Sequence, residues 1–274
     1  MVLAWEMAKA TFRLYKAAIL CVLRGIAGRP GRDTPRIQSA IDLLAAEQST
    51  GGRRKGTKTS SLKSRSFPPD DVERMLRYLK EANLRSRWAE PTILAIHVLL
   101  LTGVRPSELA SLRVVSSAPG YAFVTFGNAK TSNGRGNGET RSIELRDLTD
   151  MQLNALACWP EVLAHHAGQY TPAAAIRRIA LYFRDVARRT LGKRRHYPSL
   201  YSLRHQFAAN AKASGLSCEE IAALMGHASN VTATRHYGRR ARGTQGVKAR
   251  PLPTEVSRVR QKAKPFNRRS APNA

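Results

Sequence analysis

The chain has 274 residues, and its 46 lysines and arginines stand against 19 acids, a formal net charge of +27. That balance excludes an ordinary acidic or neutral metabolic enzyme, and a 42% share of hydrophobic residues excludes a wholly disordered basic tail, because such a chain can bury a core. So large a charge excess opposes compaction unless a polyanion shares the surface, which points to nucleic acid, with an anionic membrane surface as the rival partner.

From Trp5 to Leu23 the apolar residues Trp5, Ala8, Phe12, Tyr15, Ile19 and Val22 fall at helical spacing with basic residues on the other side. The uncharged run from Ala17 to Leu23 is far short of the about 20 residues that span a bilayer. Lys9, Arg13 and Lys16 leave a peripheral membrane helix as an alternative. Cys21, Cys158 and Cys218 form no CxxC pair, which suits a reducing compartment. The expectation is a soluble cytoplasmic protein, nucleoid-associated when bound to DNA. A second helix is predicted over about Thr34 to Ala46, so residues 1–48 read as a short helical segment. Residues 49–66 read as a flexible basic linker: Arg53, Arg54, Lys55, Lys58, Lys63 and Arg65 lie there with no acid. Gly51 to Lys58 imitates a phosphate loop, but Thr57 precedes Lys58, the reverse of the order such a loop requires.

Residues 67–240 read as one globular, mainly helical domain. Pro68, Pro69, Asp70 and Asp71 open a helix that Val72, Met75, Leu76 and Leu79 continue. Ile93, Ile96, Leu100 and Leu101 mark another, ending near Gly103, and a short helix follows from Ser107 to Leu112. The period then changes to two: Tyr121, Phe123 and Thr125 alternate with Ala122, Val124 and Phe126, and Arg141 to Leu145 alternates again. The Asn/Gly-rich stretch Asn133 to Gly138 between them predicts a long hairpin turn. Ile176, Ile179, Phe183, Val186 and Ala187 share one face of a helix whose other side carries Arg177, Arg178, Arg184, Arg188 and Arg189, a face we expect to meet DNA. Ser217 and Glu220 stand at capping-box spacing ahead of Ile221, Leu224 and Met225. Residues 241–274, basic and proline-bearing with Glu255 as their single acid, read as a tail that orders on binding. The fold class expected is mainly α with a small antiparallel β-hairpin or sheet.

Several chemistries are missing. There is no GxSxG elbow, HExxH helix or calcium loop, and His165 and His166 are adjacent, so they cannot share one helix face as paired metal ligands do. Gly134, Gly136 and Gly138 lie inside a hairpin, not between a strand and a helix, so they form no dinucleotide site. Acids are too scattered to hold magnesium for a two-metal nuclease, so any phosphoryl chemistry is expected to need neither metal nor cofactor. What remains is cationic and hydroxyl residues at helix ends. Arg105, three residues before Glu108, reads alone as a helix corner with a surface ion pair; His227 reads as a helix cap and Tyr237 as a packed ring.

Taken together the reading changes. Leu101-Thr-Gly-Val-Arg-Pro-Ser-Glu-Leu109, Ser202-Leu-Arg-His-Gln-Phe-Ala208, Leu224-Met-Gly-His227 and Tyr237 occur in the order and approximate separation of the tyrosine recombinases. From about Phe67 to Gly238 the chain resembles that family, the phage integrases. The resemblance implies six site residues: Arg105, Lys130, Tyr201, Arg204, His227 and Tyr237. Tyr237 would attack a DNA phosphodiester to give a 3′-phosphotyrosyl link, while Arg105 and Arg204 grip non-bridging oxygens with planar forks. Lys130, in the hairpin, would protonate the leaving 5′ oxygen, and His227 would donate to the phosphate. The link conserves the energy of the broken bond, so rejoining needs no ATP. The resemblance further implies double-stranded DNA as partner and a homo-tetramer on two sites, with room for accessory proteins.

Three departures from the family pattern stand out. Tyr201 occupies a position that is commonly histidine, and a phenol is a poor base near neutral pH, which leaves His205 as a substitute. The interval from His227 to Tyr237 is one residue longer than usual and puts His236 at the usual offset, with Tyr197 and Tyr201 as further candidate nucleophiles. Residues 1–48 are shorter than the family's usual core-binding domain. The rivals are a non-catalytic DNA-binding relative and a type IB topoisomerase.

Overall fold

The structure, a computed structural model, describes residues 9–47, 64, 66–82, 86–129, 137–168, 170–231 and 237–260. The chain divides into two compact units, Met1–Ser61 and Leu62–Ala274. In the first, α1 (Lys9–Ala27) packs on α2 (Thr34–Ala46). Asp33 Oδ1 accepts the Arg36 N–H to cap α2, and Pro35 fits its first turn, where no N–H is needed. Lys16 Nζ donates to the carbonyls of Ala45 and Glu47 at the end of α2. Phe12 and Ile41 are buried, but two helices share only one interface, so Leu14, Tyr15, Ile19, Val22 and Leu43 remain exposed.

The second unit runs α3 (Pro69–Ala82), α4 (Ala89–Thr102), a 3-10 turn (Pro106–Ser111), β1 (Arg113–Ala118), β2 (Tyr121–Gly127) and β3 (Thr140–Leu145). It continues with α5 (Asp150–Ala167), α6 (Pro172–Thr190), α7 (Leu200–Ala213), α8 (Cys218–Leu224), β4 (Ala249–Pro251) and α9 (Pro253–Ser257). Helix α4 is apolar on every side because it is the central element, packed on α3, α5, α6 and α7. The expected faces are the buried ones: Met75 and Leu79 on α3, and Ile176, Ile179, Phe183, Val186 and Ala187 on α6. The capping box predicted at Ser217 and Glu220 forms, with each residue's side chain accepting the other's backbone N–H.

The sheet is larger than one hairpin: four antiparallel strands in the order β1-β2-β3-β4. Strand β1 carries no alternation because it is an edge strand, exposed along nearly its whole length. Helix α5, which the sequence reading also passed over, has a weak stripe and an internal Pro160, yet Trp159 fixes it by donating Nε1–H to the Leu109 carbonyl at 2.8 Å.

The expectation of a tail disordered from residue 241 is corrected as far as Arg260. Gln206 Nε2 donates to the Arg242 carbonyl, Asn210 Oδ1 accepts the Thr244 N–H, and Ser214 Oγ accepts that of Val247. Strand β4 then pairs with β3, and Ala249 and Val259 are buried in the core. Basic composition signals repulsion between side chains, whereas these bonds are mostly to the backbone, which pairs whatever side chain it carries. Most of the linker 49–66, the Asn133–Gly138 turn up to Gly136, and residues 261–274 lie outside the described residues.

Candidate active site

The end of α4 sets the first feature. Gly103 closes the helix in the left-handed region at φ 63°, and a Cβ there would sit 2.1 Å from the Phe207 ring, so both conformation and space call for glycine. The chain turns at once into Arg105, whose backbone N–H donates to Glu108 Oε2 at 2.8 Å and whose Nη1 donates to Glu108 Oε1 at 2.6 Å. Both side chains are buried, so the expected surface ion pair is in fact an interior one.

Helix α7 brings in the second arginine. Leu203 and Phe207 bury its face, and Arg204 between them is 0% exposed. A guanidinium so placed must satisfy its donors internally. Nη1 donates to the Gly103 carbonyl and Nη2 to the Met225 carbonyl, each at 2.6 Å, and Nη2 also lies 3.0 Å from His227 Nε2. Arg204 thus ties together the ends of α4 and α8. His227 follows Gly226, which has φ 60°, and its backbone N–H donates to the Ala222 carbonyl.

Tyr237 closes the group. Its Oη lies 3.1 Å from Tyr201 Oη, 3.3 Å from His227 Nε2 and 3.4 Å from Arg204 Nε. The His205 ring packs against it with centroids 4.9 Å apart. Lys212 Nζ donates to the carbonyl of Gly238 at 2.8 Å. A Cβ on Gly238 would meet the His205 carbonyl oxygen at 2.5 Å, so the segment after the tyrosine lies directly on α7.

The electrostatics follow from this crowding. Burial raises the Tyr237 phenol, but the Arg204 charge, hydrogen bonds from Tyr201 and Arg204, and the Arg105 charge together hold it below its ordinary value. Burial and the neighbouring Tyr237 charge push Tyr201 the other way, upward. Burial, then Arg204, Arg105 and Arg141, depress His227 to about 2, so its imidazole is neutral at pH 7. Facing a guanidinium N–H, Nε2 must accept, which leaves the proton on Nδ1. Burial raises Glu108, but Arg141, Arg105 and Arg204 overcome it and hold the carboxylate at about 2. Arg105 sits above its ordinary value, since Glu108 outweighs the effect of burial. Arg105 Nε and His227 Nδ1 are buried with no hydrogen-bond partner among the described residues.

Of the residues singled out from the sequence, Tyr201, Arg204, His227 and Tyr237 are in direct contact. Arg105 joins them through its charge on Tyr237. Lys130 and His236 lie outside the described residues, although Ala129, next to Lys130, donates its N–H to Glu108 Oε1 at 3.1 Å. Tyr197 is engaged elsewhere, donating to the Gly192 carbonyl. Sequence reasoning missed Arg141, Asn128 and Lys212. Among the described residues no group of His, Cys, Asp or Glu is arranged to hold a metal ion, and no helix is long and apolar enough to cross a membrane.

Comparison with known proteins adds a family and several distant folds. Residues 65–243 match the phage integrase family. A lambda integrase dimer bound to a COC′ core site is 18% identical over 85% of this chain and 61% of that one, with a TM-score of 0.46. The XerH site-specific recombinase bound to difH substrate, a pre-cleavage complex, is 15% identical over 85% of this chain and 63% of that one, at 0.49. The XerA recombinase is 16% identical over 86% of this chain and 81% of that one, at 0.44. The chain spans about three fifths of the length of the lambda integrase and XerH chains named above. No curated protein matches it.

Proposed function

The chain belongs to the phage integrase family, and from that footing we propose that it is a site-specific recombinase that cuts and rejoins double-stranded DNA through Tyr237. The observation that carries this reading is the Tyr237 hydroxyl, within 3.4 Å of polar atoms from α7 and from the turn after α8. These segments are distant in sequence, and a packing tyrosine has no need of so many polar neighbours.

In the proposed reaction the Tyr237 oxygen forms a bond to phosphorus as the bond to the 5′ oxygen breaks, leaving a 3′-phosphotyrosyl link and a free 5′ hydroxyl. Arg204 and Arg105 neutralise the charge that builds on the non-bridging oxygens. The unpartnered Arg105 Nε supports this, since a buried donor without an acceptor costs free energy that an anionic ligand would recover. The family resemblance assigns protonation of the leaving oxygen to Lys130. Tyr201 is too weak a base to take the nucleophile's proton, and its raised pKa keeps it protonated at neutral pH. Its role in this reading is to donate to the Tyr237 oxygen, so that the nucleophile ionises through surrounding charge and gives its proton to solvent. Reversal, with another 5′ hydroxyl attacking the phosphotyrosine, rejoins the strand without ATP, metal or nucleotide cofactor. On DNA the protein acts as a homo-tetramer bridging two sites, with accessory proteins as an optional addition.

The test uses nicked duplexes tiled from the DNA that flanks the coding sequence. The native protein is expected to give an SDS-resistant protein–DNA adduct, and Tyr237→Phe to bind but give none. Binding without adduct from the native protein would favour a non-catalytic relative. Relaxation of supercoiled plasmid regardless of sequence would favour a topoisomerase.

A further inference from the structure

We propose that Arg141 is a positioning residue that holds Arg105 and the His227 turn in register for the phosphate, an assignment that rests on the strand-transfer reading above. Arg141 opens the inward face of β3, and its side chain is 0% exposed. Each arm of its guanidinium reaches a different segment of the site. Nη2 donates to Glu108 Oε2 at 2.7 Å, the same carboxylate that receives both the backbone N–H and the Nη1 of Arg105. Nε donates to the Leu224 carbonyl at 3.0 Å, at the end of α8 and three residues before His227. Nη1 donates to Asn128 Oδ1.

Asn128 in turn spans the base of the β2–β3 connection, its Nδ2 donating to the carbonyls of Asn137 and Gly138. The fit is close. A Cβ at Gly226 would lie 2.6 Å from Asn128 Oδ1 and 2.8 Å from Arg141 Nη1, so the turn that presents His227 is moulded against this pair.

A single buried cation thus joins the 3-10 turn of Arg105, the sheet and the turn of His227. Its planar fork matters, because a lysine ammonium could not serve three directions from one plane. Arg141 itself is enclosed by these partners, so it acts on the phosphate only through them. Glu108, shared by two arginines, fixes where Arg105 points. Without Arg141 the carboxylate would keep only Arg105 and the Ala129 N–H, and the Leu224 carbonyl would lose a buried donor.

The experiment compares two scissile linkages in the nicked duplex: the ordinary phosphodiester and a methylphosphonate, which lacks the negative charge that Arg105 and Arg204 neutralise. Arg141→Met and Arg141→Lys remove the fork, and Asn128→Ala loosens one arm of it. Arg141→Met is expected to bind duplex like the native protein while forming adduct on the order of 100-fold more slowly on the phosphodiester, the size of loss a displacement of about 1 Å produces. On the methylphosphonate the loss should shrink to less than about tenfold, because misplaced cations matter less where the phosphorane carries one negative charge fewer. Asn128→Ala should show the same pattern at smaller size, and it decides the matter should circular dichroism find Arg141→Met unfolded. Native rates in the folded variants, or equal losses on both linkages, would overturn the assignment. No adduct from the native protein would instead overturn the strand-transfer reading, and this assignment with it.

Discussion

Tyr201→Phe removes one hydroxyl at 3.1 Å from the Tyr237 oxygen and leaves the ring that packs beside it. If Tyr201 donates to an ionised Tyr237, the variant loses a hydrogen bond to a charged acceptor, about 1.5–3 kcal/mol. At about 1.4 kcal/mol per unit, that corresponds to a rise of roughly 1–2 units in the Tyr237 pKa. Tyr237 is only partly buried and keeps Arg204, so the lower end of the range applies. Below its pKa the ionised fraction falls tenfold per unit, so adduct formation near neutral pH should slow by about tenfold. The measurement is the rate of adduct formation on a nicked duplex across pH, under single turnover. The rising limb should move to higher pH by about one unit, with duplex affinity unchanged. Tyr201→His, which supplies a true base, should instead bring in an inflection near the ordinary histidine value of about 6.5. An unchanged limb in Tyr201→Phe, or a shift to lower pH, would refute the donor role and with it activation by charge.

Other outcomes follow from the same geometry. The folded-state pKa of His227 is depressed to about 2 from 6.5, so below pH 6.5 the unfolded chain takes a proton that the folded chain refuses, and stability falls with falling pH. Thermal melts should show a loss of about 2 kcal/mol by about pH 5, which His227→Gln removes. Glu108, also depressed, to about 2 from 4.5, contributes stability present above pH 4.5 and lost as pH falls through about 2, a second and lower limb in the same melts. Gly238→Ala places a Cβ against the His205 carbonyl and should slow adduct formation by up to about 100-fold without weakening duplex binding, measured by mobility shift. Arg184→Glu and Arg188→Glu, on the exposed face of α6, should each weaken duplex binding and lower the slope of log affinity against log salt by about one.

The parts of this fold that the sequence carries openly are those specified within a few residues. The Pro68–Asp71 helix start, the Ser217 and Glu220 box and the apolar face of α6 each satisfy their own local chemistry. Strand β1 and the segment through Arg260 do not, because their partners are β2, β3 and α7, far along the chain. The site divides in the same way. Arg204 and His227 stand in local motifs, whereas Glu108 looks like half of a surface pair until Arg141, 33 residues on, is seen to share it.

Lys212 gives no signal at all, since a basic residue in the last turn of α7 already suits the helix dipole. Arg141 did leave a trace. It falls at the same parity as Ile143 and Leu145, which both face the core, and it pairs across the ladder with buried Phe126. A cation on the inward register of a strand must find acceptors there or stay unfolded, so parity alone predicts a buried carboxylate nearby. With acids as scarce as they are in this chain, Glu108 is one of few that could answer, and its spacing from Arg105 then draws that arginine inward as well.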